Sequence, residues 1–351
     1  MTTMTATCPI VTGGVDTHRD IHVAAALDQV GGVLGTATFP TTSDGYRQLL
    51  KWLSSFGEVG KVGVEGTGSY GSALARHLTE RDVMVIEVGR PNRQVRRRYG
   101  KTDVVDAIAA ARAVLSGEAT ATPKTHDGPV EALRTLKVVQ RGANKARTQA
   151  VNQLRALVLT APEELRTDLR DLPRAKLIST CSAFRIRAED DSLREITRLA
   201  LRELAQRINV LQDQLDRVVI RLARITTATA PELVACKGVG PDTASTLLVA
   251  AGDNAHRLSS ERAFASLCGS SPVPVNSGQT QNRYRLNRGG DRQANAALWR
   301  IAIVRMGTDP RSSDYIARRV KEGKTKSEAI RCLKRYIARE IFNALPRATL
   351  A

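Results

Sequence analysis

Aromatic side chains are scarce: five Phe, six Tyr and two Trp, 4% of 351 residues. So thin a supply argues against a stacking platform for unpaired bases and leaves phosphate contacts as the main way to hold a nucleic acid. Cysteine is sparse as well, at positions 8, 181, 236, 268 and 332, odd in number, widely spaced and without a CxxC pair. That pattern argues against a disulfide framework or a structural zinc and leaves reduced thiols, as in a cytoplasm. No apolar run reaches the roughly 18 residues of a spanning helix, so no membrane partner is expected. The opening "MTTMTATCPIVTGG" has no basic stretch leading into an apolar one, and no signal peptide is expected. Acidic residues are in deficit, 35 against 53 Lys plus Arg, a net charge of 53 − 35 = +18. Such an excess points to a polyanionic partner, nucleic acid before any other.

What is present supports folded domains. Hydrophobic residues make up 42%, and the length fits two or three domains. Between residues 10 and 120, strand and helix patterns alternate. "VTGGVDTHRDIHVAAALD" and "GGVLGTATFP" read as two or three adjacent strands separated by the hairpin signal "QVGG". "TSDGYRQLLKWLSSF" reads as a helix capped by Thr42 or Ser43, followed by strand "KVGVEGT", helix "SYGSALARHLTERD", strand "VMVIEVG" and a helix from Thr102. Hairpin strands followed by βαβα make a mixed sheet flanked by helices.

Residues 130–160 are helical in spacing, and 161–190 interrupt the pattern. Leu201, Leu204, Ile208, Leu211, Leu215, Val218, Leu222 and Ile225 then recur at alternating steps of 3 and 4. That is a heptad seam, either an amphipathic helix packing on its own chain or a coiled coil within or between protomers. From about residue 230, "LVACKGVGPDTASTLLVAAGD" reads as helix end, Gly-x-Gly turn and helix. Residues 269–290 read as a loop free of acids, and two basic helices close the chain, near 291–308 and 325–345.

Asp16 interrupts an otherwise apolar strand, and Glu65 repeats the oddity in "KVGVEGTG". A buried carboxylate is costly unless paired or holding a metal, whereas a strand-end acid can also serve a turn. Asp103 and Asp106 follow in "KTDVVDA", three apart on one helical face. Acids in a first helical turn also favour the macrodipole with no catalytic role. Four carboxylates on two strands and one helix N-terminus suit hard divalent cations such as Mg²⁺, two of which can clamp a phosphodiester.

The motifs "GVDTHRD", "VEGTGSYG" and "YGKTDVVDA", in that order, resemble the DEDD transposases of the insertion sequence 110 family. "KGVGPDTASTLLVAAGD", "FASLCGSSPVPVNSG" and "RLNRGGDRQANAAL" are similar to that family's C-terminal transposase domain. The resemblance implies α/β plus all-α architecture: an RNase H-like (RuvC-like) mixed-sheet domain at 8–122, a helical coiled-coil region at 123–229 and a C-terminal transposase domain at 230–351. It implies a transposase that recombines donor and target DNA, guided by a non-coding bridge RNA and assembled as a dimer or tetramer. Asp16, Glu65, Asp103 and Asp106 would bind Mg²⁺. Ser277, in "PVPVNSGQTQ", would be the nucleophile, although by its residues alone it is an ordinary loop serine. Lys237 stands where the family commonly has Pro, and Gly66 where it has Ala.

Basic runs adjoin both proposed catalytic elements. "RPNRQVRRRYGK" contributes Arg93, Arg96, Arg97, Arg98 and Lys101; Arg283, Arg285 and Arg288 flank the serine. They suit phosphate contacts, or a plain solvated face. Gly238 and Gly240 form a helix-hairpin-helix-like turn whose amides suit a phosphate. A water-using junction nuclease and a non-catalytic nucleic-acid-binding relic are the competing functions.

Overall fold

The computed structural model describes residues 9–89, 102–275, 284–287 and 289–346. These fall into two compact units. One holds the described residues up to His126 together with Gly252–Ser259; the other holds Asp127–Ala251 and Ser260–Pro346.

The first unit is built on a single sheet. Strands β1 (Ile10–Thr17), β2 (Ile21–Leu27) and β3 (Val33–Pro40) form an antiparallel meander. The β2–β3 turn is fixed by Asp28, whose Oδ1 accepts from Val30 N and Gly32 N at 2.9 and 2.7 Å. Strand β4 (Glu58–Glu65) joins β1 in parallel and β5 (Met84–Val88) joins β4, giving the order β3-β2-β1-β4-β5. Helices α1 (Ser43–Ser54) and α2 (Ser72–Thr79) separate these strands, and α3 (Asp103–Leu115) follows them. Thr42 and Thr102 cap α1 and α3, accepting from Gly45 N and Val105 N.

Strand alternation divides the sheet into two buried faces. Val11, Val15, Ala24, Val62 and Val64 meet Leu49 and Leu53 of α1 and Leu74 and Leu78 of α2. On the other face Val23 and Ala25 meet Ala107, while Ile86 and Val88 meet Ala110 and Val114, all from α3. Two strand glycines let α3 come this close. A Cβ on Gly14 would fall inside Ala107 O and Ala111 N and 2.7 Å from Ala111 Cβ; one on Gly63 would lie 2.9 Å from Ala110 O. The 252–259 segment also belongs to this unit: buried Asn254 donates Nδ2 to Pro123 O at 2.9 Å.

His22 lies fully buried on the α1 side, stacked on Tyr46 at 5.7 Å, with no hydrogen-bond partner at either ring nitrogen. Burial pushes its pKa from 6.5 down to about 4. The unfolded chain therefore takes up this proton before the folded one does. Stability from this group is complete above pH 6.5 and drains away toward pH 4, by up to about 3 kcal/mol. His22→Phe keeps the ring and removes two unpaired polar atoms. Urea unfolding from pH 4 to 8 should show a gain of about 1–3 kcal/mol near neutrality and a flatter acid limb. An unchanged acid limb would reject the assignment.

The second unit is helical. Helix α4 (Pro129–Leu159) packs antiparallel on α7 (Leu193–Thr229), with Ala150, Leu154 and Val158 against Leu201, Ala205 and Ile208. Arg147 donates to Gln212 further along the pair. The heptad seam is thus used within the chain. Leu201, Ile208, Leu215 and Leu222 are buried; Leu204, Leu211, Val218 and Ile225 are half-buried. The segment expected as an interruption contains two short helices, α5 (Glu163–Leu169) and α6 (Arg174–Ser182), each following a proline. Their Leu165, Leu169, Leu177 and Cys181 fill the core of the pair.

Helices α8 (Pro231–Ala235), α9 (Pro241–Ala251) and α10 (Glu261–Leu267) come next. The expected acid-free loop holds a short antiparallel pair at its base, β6 (Pro272–Pro274) with β7 (Tyr284–Leu286). Three helices, not two, end the described chain: α11 (Arg292–Thr308), α12 (Pro310–Lys321) and α13 (Lys326–Asn343). Pro310 cannot continue the ladder of α11 but suits the first turn of α12, and Thr325 with Glu328 forms the capping box that opens α13. Cys181, Cys236, Cys268 and Cys332 are free thiols, and no described helix is long and apolar enough to cross a membrane.

Candidate metal centre and nucleic-acid interface

Parallel strands β1 and β4 end at the same sheet edge. Val15 pairs with Val64, so the next residues along, Asp16 and Glu65, sit side by side on the face that α3 covers. The two ends are tied where Thr17 Oγ1 donates to Glu65 O at 2.8 Å. The glycine contacts bring α3 down on this face, and its first turn carries Asp103, half exposed, and Asp106, 3% exposed.

Asp16 is 7% exposed. Burial chiefly raises its pKa, His18 opposes the rise, and Asp106 and Asp103 add to it. Both helix carboxylates therefore act on Asp16. His18 bridges the group: Nε2 lies 3.2 Å from Asp16 Oδ2 and 3.3 Å from Asp103 Oδ1. Asp16, His18 and Asp103 each offer a ligand atom within 4.8 Å of one another.

The donor set fits a hard divalent cation. Carboxylates crowded beside a buried Asp16 repel one another, and a cation relieves that repulsion. His18 Nε2 is shut from solvent and lies against two carboxylate oxygens without forming an aligned hydrogen bond to either. Carboxylate oxygens suit Mg²⁺ and Mn²⁺, whereas an imidazole nitrogen suits softer cations such as Zn²⁺. His18 had not been expected here, yet its position carries a sign. Two residues beyond Asp16 on extended backbone, it returns to the same side.

The other candidate residues divide in two. Arg93, Arg96, Arg97, Arg98, Lys101, Ser277, Arg283 and Arg288 lie outside the described residues. Arg285 is exposed on β7, opposite Val273. Gly238 takes a left-handed conformation (φ 75°) between α8 and α9. The Gly240 amide is engaged locally, donating to Thr243 Oγ1 at 3.1 Å. Arg305 holds this turn: Nε donates to Lys237 O at 2.7 Å while the guanidinium forks onto Glu340.

A mixed five-stranded sheet with Asp and Glu at the ends of adjacent parallel strands, and Asp-x-x-Asp opening the helix above, defines a protein with a DEDD-type, RNase H-like domain. Residues 13–161 match the family model for DEDD transposases of the IS110 kind, and residues 230–317 match the one described as "Transposase IS116/IS110/IS902 family". The chain belongs to the IS110 family of transposases. It is 33% identical over 120 residues to the "Insertion element IS110 uncharacterized 43.6 kDa protein" of Streptomyces coelicolor, across 34% of this chain. It is 30% identical over 103 residues to the "Insertion element IS900 uncharacterized 42 kDa protein" of Mycobacterium paratuberculosis, across 29% of this chain. The chain spans 29% and 26% of the lengths of these two relatives. Residues 318–351 lie beyond both family matches.

Proposed function

We propose that the protein is the transposase of an insertion sequence, a Mg²⁺-dependent DNA recombinase that cuts and rejoins strands through Ser277. The supporting observation is the convergence of Asp16, His18 and Asp103 at one sheet edge, with Glu65 and Asp106 alongside, in a chain of this family. Asp16, Glu65, Asp103 and Asp106 hold divalent ions in this reading, and His18 orients the Asp16 and Asp103 carboxylates. Bound ions would offset the charge on the phosphate and lower the pKa of an attacking hydroxyl.

The chain's own groups do the rest. Ser277 Oγ forms a bond to phosphorus, the P–O bond to one flanking sugar breaks, and that sugar oxygen leaves as a hydroxyl. One phosphodiester replaces another, so rejoining needs no outside energy source. Arg93, Arg96, Arg97, Arg98 and Lys101, with Arg283, Arg285 and Arg288, hold the backbone. The Gly238–Gly240 turn lies alongside it. Sequence choice falls to a non-coding bridge RNA, leaving the protein to read backbone and shape. Domains at 8–122, 123–229 and 230–351, with a coiled-coil middle region, would assemble as a dimer or tetramer in the cytoplasm.

Trapped cleavage tests the proposal. Incubation with donor DNA and Mg²⁺, then denaturing electrophoresis, should show DNA attached to the protein, and Ser277→Ala should remove that band. Free 5′-phosphate ends with an indifferent Ser277→Ala would make the protein a junction-resolving nuclease. Binding without cleavage would make it a relic.

A further inference from the structure

Helix α13 and the last four residues of α12 lie beyond the segments matched to the family, and the two helices carry basic and aromatic side chains that the proposed function does not use. Residues 310–346 hold ten Lys plus Arg and four Asp plus Glu, a net of 10 − 4 = +6. In a chain with six tyrosines, two meet here. Tyr315 of α12 and Tyr336 of α13 pack edge to face, their ring centroids 5.5 Å apart at 76°.

The pair is built from beneath. Tyr315 is half-buried and, with Arg319, lies beside Cys332, one turn before Tyr336. Arg318 lays its guanidinium carbon 5.5 Å from the Tyr315 ring centre, while its side chain stays 67% exposed. Tyr336 is 56% exposed. One tyrosine is thus anchored and covered, and it holds the other with a face open to solvent. At the tip of the helical hairpin, Lys321, Lys324 and Lys326 stand with Glu322 and Glu328, a net charge of 3 − 2 = +1 over residues 321–328. That tip is about 15 Å from Tyr336, ten residues at the helical rise.

We infer that Tyr336, packed against Tyr315 on the hairpin that also carries Arg318, is a stacking platform for an unpaired nucleotide, with the net basic surface of the hairpin holding the adjoining phosphates. An open, fixed aromatic face beside guanidinium groups suits a base that is not in a duplex. Prior fixation by Tyr315 lowers the ordering cost of the stack. A protein partner would have to match the net +6 of residues 310–346 with acids of its own, whereas a strand of phosphates is complementary to it as it stands. The inference extends the recombinase reading by adding a site for unpaired strand, but the two fail separately.

The test uses the full chain in EDTA, so that nothing is cut, with fluorescein-labelled mixed-sequence 20-mers of single-stranded DNA, single-stranded RNA and duplex DNA. Tyr336→Ala should weaken single-strand binding about tenfold, with an unchanged salt slope because no phosphate contact is lost. Tyr336→Phe should bind within about twofold of the wild type, and duplex affinity should hardly move. A 5-iodouracil-substituted strand should cross-link to Tyr336 on irradiation. Loss with DNA, RNA or both supports the platform and names the strand it takes. Equal binding by Tyr336→Ala, equal loss on duplex, or failure of Tyr336→Phe to rescue would overturn it. If the platform stands while Ser277→Ala still forms an adduct, only the recombinase chemistry is wrong.

Discussion

Asparagine at position 16 is expected to abolish strand cleavage while leaving a protein that melts at higher temperature in EDTA. The two effects have one cause. Asp16 is nearly buried, and both burial and the neighbouring Asp106 and Asp103 raise its pKa. Ionised Asp16 therefore strains the metal-free fold. The folded state keeps this proton to higher pH than the unfolded chain, so Asp16 contributes stability at acid pH that is lost as pH rises through its raised pKa. The amide has no proton to lose, so the Asp16→Asn variant should lack that dependence. Cleavage should fall by about 10²–10³-fold or more, the scale on which a charge-stabilising group is lost from a site. Scanning calorimetry adds a readout that does not depend on DNA. At a hundredfold excess over its dissociation constant, a divalent ion stabilises the wild type by about 2.7 kcal/mol, and Asp16→Asn should show little of that shift. A variant still stabilised by Mg²⁺ or Mn²⁺ would place the ion elsewhere.

Local chemistry was legible in the sequence. Thr42, one of the two expected candidates with Ser43, and Thr102 cap their helices, because a cap depends on its next three residues. The apolar runs of "VTGGVDTHRDIHVAAALD" and "GGVLGTATFP", parted by "QVGG", read as two or three adjacent strands, and three form because their buried side chains meet helices. Asp16 and Glu65 are legible as misfits, polar groups in apolar surroundings, and the Asp103/Asp106 pair by its spacing on one helical face. What escaped depends on partners distant in the chain. His18 carries no mark of a site until the N-terminus of α3 puts Asp103 beside it. The segment at 161–190 reads as an interruption because its prolines and charged residues break the helical spacing, whereas Pro162 and Pro173 each precede a short helix. Tyr315 and Tyr336, far apart in sequence, were counted within a sparse aromatic content that says nothing of where the rings meet. Asn254 likewise reaches back over 131 residues to Pro123, a pairing that no local pattern encodes.

Gly14→Ala should damage the protein more than the single added methyl suggests, and Gly13→Ala provides the matched control. The two glycines are neighbours on β1 and face opposite sides of the sheet. A Cβ at Gly13 would lie 3.1 Å from Leu53 Cδ1 and from Val62 Cγ2, the ends of side chains that can turn aside. A Cβ at Gly14 would strike the backbone of α3 at Ala107 and Ala111, which moves only if the helix moves. Overpacking costs about 1–3 kcal/mol where side chains can adjust and more where they cannot. Guanidinium unfolding should therefore rank Gly14→Ala well below Gly13→Ala. Raising α3 from the sheet also carries Asp103 and Asp106 away from Asp16, because all three depend on that close approach. Gly14→Ala should thus lose the Mg²⁺-dependent rise in melting temperature even where it remains folded, whereas Gly13→Ala should keep it. Equal losses from the two alanines would show that the tight seat of α3 on β1 does not assemble the carboxylates.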